Sequence, residues 1–157
     1  MQYLAMDTAV TVNEDTGEYQ ETARGKKFSH TWGYGKIDSL ALVEAARAWT
    51  SVKPQAWYYS PWIHVNHDIP QGRDGQAGLS VAFEVTSDML VAANLGAVEH
   101  VTVTMNVEHT RRGDLAVDLI SPFGVVSHIA TARKQDNAVA GYENWTFMSV
   151  AHWSVEN

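Results

Sequence analysis

The chain has 157 residues, 45% hydrophobic and 18% charged, with a net charge of −7 and no cysteine. This is a globular composition, not a disordered one; it excludes a disulfide scaffold and thiol chemistry, and its 11 scattered Lys and Arg residues argue against nucleic acid as a partner. No run of about 18 apolar residues exists, so no helix spans a membrane.

A domain of this length buries roughly 68–70% of its unfolded surface, so no metal or disulfide staple is required. Met1-Gln2-Tyr3-Leu4 lacks the basic and apolar regions of a signal peptide. That leaves a cytosolic protein or an excerpt of a longer chain.

Tyr3, Leu4, Met6 and Val10 lie near helical spacing and predict a helix over 1–12 that fades at the β-branched Thr11-Val12. It starts without an N-cap signal, like a helix cut from preceding sequence. Residues 13–27 are polar and are expected to form a solvated loop. Asn13-Glu14-Asp15 lacks the alternating ligand spacing of a calcium loop. Phe28–Ile37 is an aromatic and glycine segment. Asp38 or Ser39 then caps a helix whose apolar face is Leu40, Leu42, Val43, Ala46 and Trp49, and which ends before Pro54.

Lys53-Pro54 is a linker signal. Residues 55–65 predict one or two aromatic strands, 66–78 a loop, and 79–85 (LSVAFEV) an alternating strand. Thr86-Ser87-Asp88 caps a short helical turn over 89–95, closed by Gly96.

Val98–Ala130 is the expected core. Val101, Val103, Met105 and Val107 alternate with polar residues; Leu115, Val117 and Leu119 repeat the pattern; and Ser121-Pro122-Phe123-Gly124 is a turn before Val125–Ile129. These three segments predict a β-meander. A polar loop over 133–143 leads to the aromatic strand Trp145–Trp153. About seven short strands in all indicate a β-sandwich.

Gly33-Tyr34-Gly35-Lys36-Ile37-Asp38 before an alanine-rich helix resembles the end of a subtilisin-like serine protease domain. There, a Gly-x-Gly-x-x-Asn/Asp motif follows the catalytic serine. The linker at 52–55, Trp57-Tyr58-Tyr59-Ser60-Pro61-Trp62, Thr110–Leu115, Leu119-Ile120-Ser121-Pro122 and Trp145–Trp153 resemble the P domain (homo B domain) of proprotein convertases, the fungal kexins in particular.

The resemblance implies a mainly β fold. A jelly-roll P domain over 54–157, C-terminally incomplete, would follow a mostly helical remnant of an α/β protease domain over 1–49. It implies descent from a calcium-dependent serine endopeptidase of the late Golgi that cleaves proproteins after paired basic residues. The intramolecular partner would be the missing protease domain, which the P domain stabilises. No calcium site is assigned in this chain. A subtilisin-like enzyme needs Asp, His and Ser together; no Gly-Thr-Ser motif occurs, and the chain is predicted inactive alone. The family's strand ending in His-Trp usually continues into a further strand, whereas here only Ser154–Asn157 follow Trp153. This points to a truncated product, an incomplete gene model or an excerpt. The alternative is a non-catalytic jelly-roll module that binds carbohydrate or protein.

Other candidates carry a bland reading and a functional one. His64, His67 and Asp68 read as surface residues rather than a zinc site, being on strand or loop instead of a helix; histidines could also sense pH in an acidifying compartment. Arg111, Arg112, Gly113 and Asp114 spell an integrin-type tripeptide and a dibasic site. They are read as a structural hairpin loop, with Gly113 at φ > 0 and Asp and Arg paired within it. Asn144-Trp145-Thr146 is an N-glycosylation sequon at the start of a strand whose Trp is expected to be buried. The Trp57–Trp62 cluster is read as packing rather than sugar-stacking surface.

Overall fold

The computed structural model describes residues 1–16, 18–71 and 77–153. The elements are α1 (Gln2–Asp7), β1 (Gln20–Glu21), β2 (Lys27–Phe28), α2 (Ser39–Arg47), α3 (Ser87–Ala92), β3 (Val101–Val107), β4 (Val117–Ile120), β5 (Val126–Ala130) and β6 (Tyr142–Ser149). Helices thus dominate the first part and β-ladders the last. The chain divides into two compact units, Met1–Val52 with Ala97–Asn157, and Lys53–Gly96.

In the first unit, α1 buries Tyr3, Leu4 and Met6. It ends at Asp7, earlier than its periodicity predicts, and Thr8 caps it, N–H and Oγ1 both donating to Leu4 O at 3.0 and 2.7 Å. The polar 13–27 segment is not merely a solvated loop. β1 and β2 pair antiparallel, and Thr22 between them is only 1% exposed, its N–H and hydroxyl both donating to Lys26 O at 2.8 Å. Asp38 caps α2, its Oδ1 accepting from Ala41 N at 3.0 Å. The apolar face of α2 is only partly covered: Leu40 is 70% and Val43 52% exposed, while the Trp49 ring that follows lies 5.9 Å from that of Tyr3.

The ladders depart from a meander. β3 pairs with β6, and β4 with β5, both antiparallel. Only the β4–β5 turn is local, with Gly124 at φ 89° and its N–H donating to Ser121 O. Side-chain alternation follows the sequence: Val101, Val103, Met105 and Val107 are half-buried between exposed Thr102, Thr104 and Asn106. Leu115, Ala130 and Tyr142 form the core of the two ladders, flanked by Met105, Val107, Val117 and Phe147.

In the second unit, α3 is capped by Thr86 Oγ1, which accepts from Met89 N. It closes at Asn94 (φ 56°) rather than at Gly96, with Leu95 N donating to Leu90 O at 2.9 Å. The strands expected over 55–65 and 79–85 do not form. Leu79, Val81, Phe83 and Val85 keep their alternation but stay 40–49% exposed. A period-two pattern specifies a face; a strand also needs a pairing partner, and among the described residues none pairs with these segments. Among the described residues the β-ladders are all two-stranded. The expected loop over 66–78 lies partly, and the chain after Trp153 wholly, outside the described residues.

Candidate functional site: the seam between the N-terminal segment and the ladders

The N-terminal segment packs on one end of the ladders through two apolar clusters. Tyr3 and Met6 of α1 meet Trp153, and Phe28 of β2 meets Val125 and Ala151. Tyr34 packs against both. The Tyr3 and Trp153 rings meet edge to face, 5.0 Å apart.

Tyr34 is placed by its glycine neighbours. Ser29 and Gly33 exchange backbone hydrogen bonds across a tight turn, with Gly33 at φ 59°. Val10 and Lys36 exchange two more at 2.9 Å. Gly35 sits there at φ 110°, where a Cβ would lie 2.2 Å from Val10 O. The Gly-Tyr-Gly segment is therefore the bracket that delivers Tyr34 to the seam.

Polar contacts across the seam are aimed mainly at backbone. Gln20 Nε2 donates to Val126 O at 2.9 Å and its Oε1 accepts from Val126 N at 2.8 Å, so one side chain stands in for a neighbouring strand along β5. Tyr34 OH donates to Val150 O at 3.1 Å, and Tyr3 OH donates to Glu99 Oε1 at 2.8 Å. Burial, and for Tyr3 the Glu99 carboxylate as well, pushes both phenols up to about 12, so they remain donors at any physiological pH. Asp7 and Arg24 brace the segment with two 3.0 Å bonds, the guanidinium lying over Tyr3 at 5.4 Å. These groups hold surfaces together; none of them is arranged for bond-making.

His128 Nδ1 lies 2.7 Å from Asp118 Oδ1, and its ring contacts His30 with centroids 4.7 Å apart. Among the described residues no serine bonds this Asp–His pair; the neighbouring Ser127 accepts from Ser149 Oγ at 2.7 Å. Among the described residues no three His, Cys, Asp or Glu side chains converge as metal ligands. His64, His67 and Asp68 are exposed. Glu14 is committed to Thr11 and Lys27. Those residues do not fit a calcium ion.

The Arg111–Asp114 loop joins β3 to β4, which are not paired with each other. Gly113 is needed for close approach rather than for positive φ: a Cβ would lie 2.2 Å from Arg133 O and 2.4 Å from Asp136 O. Arg111 Nη1 pairs with Asp114 Oδ1 at 2.8 Å. Arg112 donates twice to Asp136, at 2.8 and 3.0 Å, and lies over Trp145 at 5.1 Å. Hydrogen bonds from Arg112 hold the Asp136 carboxyl down at about 2, against a burial effect that raises it. Both charged ends of the Arg-Gly-Asp triplet are thus engaged within the chain. The dibasic pair is folded as well: Arg112 N donates to Ala138 O and Gly113 N to Asp136 O.

Asn144 is exposed, with φ 48°. Sequence reasoning missed Gln20, which carries no periodic signal within a polar stretch, and Tyr34, whose glycine flanks were the available clue.

Residues 98–157 match the family model of the proprotein convertase P-domain. Over nearly its whole length the chain matches proprotein convertases of the kexin and furin type. It is 44% identical to a kexin of Candida albicans, over 98% of this chain and 17% of that protein. It is 40% identical to the dibasic-processing endoprotease of Yarrowia lipolytica, over 99% and 16%. With human proprotein convertase subtilisin/kexin type 7 it shares 35% identity, over 98% and 19%. The chain thus spans about a fifth of the length of the curated relatives it matches. Within this segment, Val125, Val126, Val150, Ala151 and Trp153 of the seam all fall in the P-domain match, and Tyr3, Gln20, Phe28 and Tyr34 lie before it.

Proposed function

We propose that this chain is the stabilising, non-catalytic P-domain region of a calcium-dependent serine endopeptidase of the late secretory pathway, which processes proproteins after paired basic residues. Residues 1–49 are the end of the subtilisin-like peptidase domain, and 54–157 the jelly-roll P domain, with Arg111–Asp114 its structural corner. The protease domain is the partner, and calcium acts there rather than at a site in this chain. The seam is the observation that carries the reading. It joins the segment bearing the Gly-Tyr-Gly motif to the P-domain match through apolar clusters and through hydrogen bonds to Val126 and Val150. An N-terminal segment whose Gln20 and Tyr34 side chains bond the backbone of the P-domain match is held in place by that domain, which supports the neighbour's fold.

The test is rescue in trans. A convertase lacking its P domain, supplemented with this chain, should recover cleavage of a fluorogenic Lys-Arg substrate, and the chain alone should give none. No recovery, or calcium-dependent turnover by the chain alone, overturns the reading. The exposed Trp57 and Tyr59, stacked with centroids 6.4 Å apart, favour a second reading as a carbohydrate-binding module. Specific binding on a glycan array, lost on Trp57→Ala, would move the assignment there.

A further inference from the structure

We propose that Asn144 is an N-glycosylation acceptor, carrying an oligosaccharide on its carboxamide nitrogen. Asn144-Trp145-Thr146 is the single Asn-x-Ser/Thr triplet in the sequence, and its middle residue is not proline. A sequon is usable only if the folded chain leaves room for the sugar. Two sequence expectations stood against it, a start-of-strand position and a buried Trp145; Asn144 does lie within β6, but at a bulge, and Trp145 is exposed.

The β3–β6 register slips between Met105 and Val107, so the ladder bulges where Asn144 sits. The bulge puts Asn144 at φ 48°, a conformation that asparagine tolerates better than most residues. Its N–H is satisfied by Asn106 Oδ1 at 2.6 Å. Its own carboxamide makes no hydrogen bond among the described residues. Residues 143–146 are all exposed. Trp145 is 44% exposed, stacked beside Phe147 and under Arg112 rather than closed in the core. Five residue steps along β6 separate Asn144 from Ser149, next to the seam residues Val150 and Ala151, about 17 Å of strand. A glycan at Asn144 therefore leaves the seam clear.

In the transfer, Asn144 Nδ2 bonds to the anomeric carbon of a lipid-pyrophosphate-linked oligosaccharide. The bond from that carbon to the pyrophosphate oxygen breaks, the lipid pyrophosphate leaves with the electron pair, and Nδ2 gives up one proton. The inference rests on the secretory location proposed above. Its test supplies that location independently, by expressing the full chain behind a heterologous cleavable signal peptide in a eukaryotic cell.

Cell-associated and secreted protein should both migrate as a heavier species that collapses on peptide-N-glycosidase treatment, with Asn144 converted to Asp in the tryptic peptide. Thr146→Ser should keep the modification. Asn144→Gln should abolish it, as should Thr146→Val, which preserves the β-branched strand shape. Unmodified Asn144 in both fractions overturns the site while leaving the proposed function standing. Failure of the trans rescue, with Asn144 modified, does the reverse.

Discussion

Replacing Gln20 by alanine removes both hydrogen bonds to Val126 and nothing from the apolar clusters. Each such bond contributes about 0.5–1.5 kcal/mol net. Val126 O loses its Gln20 donor and Val126 N–H its Gln20 acceptor. A loss of about 1.5 kcal/mol follows, which for a chain of this size lowers Tm by about 3–6 °C. Gln20→Glu sharpens the test. The carboxylate still accepts from Val126 N but turns its second oxygen toward Val126 O, where a donor is required. It should be at least as destabilising as alanine at neutral pH and should recover below about pH 4.3, where a protonated carboxyl can donate. Urea unfolding monitored by tryptophan fluorescence and far-ultraviolet circular dichroism reads both variants. If Gln20→Ala is as stable as the wild type, or Gln20→Glu matches it at neutral pH, the strand-mimic role is wrong.

Other outcomes follow from the same geometry. Trp153→Ala opens the Tyr3–Met6 cluster and should cost about 3–5 kcal/mol in denaturant titration, against well under 1 kcal/mol for substituting exposed Val139. Gly113→Ala drives a Cβ into two backbone carbonyls and should abolish the cooperative melt, whereas Gly25→Ala, with open space around it, should cost only the strain of a positive φ. Burial lowers the His152 pKa below 6.5, with the Leu119 backbone pulling weakly the other way; neither ring nitrogen has a partner of good geometry among the described residues. The unfolded chain therefore binds that proton first, so stability should fall as pH drops below 6.5, and His152→Leu should flatten the slope. Asp136 gives a separate acid limb. Its stabilisation is complete above its ordinary 3.8 and is lost as pH falls to about 2, and Asp136→Asn should remove that limb from the pH–stability curve.

Much of the architecture follows from local rules. The alternation at Val101–Val107 sets which face of β3 is covered, Ser121–Gly124 makes the β4–β5 turn, and Asp38 and Thr86 start their helices. These signals act within a few residues, so the sequence alone carries them. The motifs at 33–38, 110–115 and 145–153 likewise identified the family.

Strand pairing is a different kind of fact. β3 prefers β6, far along the chain, over the nearer β4, because the pairing must let Leu115, Ala130 and Tyr142 meet in one core. The alternation at 79–85 looks the same as that of β3 on paper, but among the described residues none pairs with it, and it stays exposed. Gly113 likewise reads as a turn glycine until the 133–136 loop is packed against it. The seam is the clearest case. Gln20 is one polar residue among many, and only the folded chain brings its amide to the edge of Val126. Sequence determined the local conformations and the family; tertiary structure decided the partners, because the packing that selects them is a property of surfaces that exist only once the chain has closed.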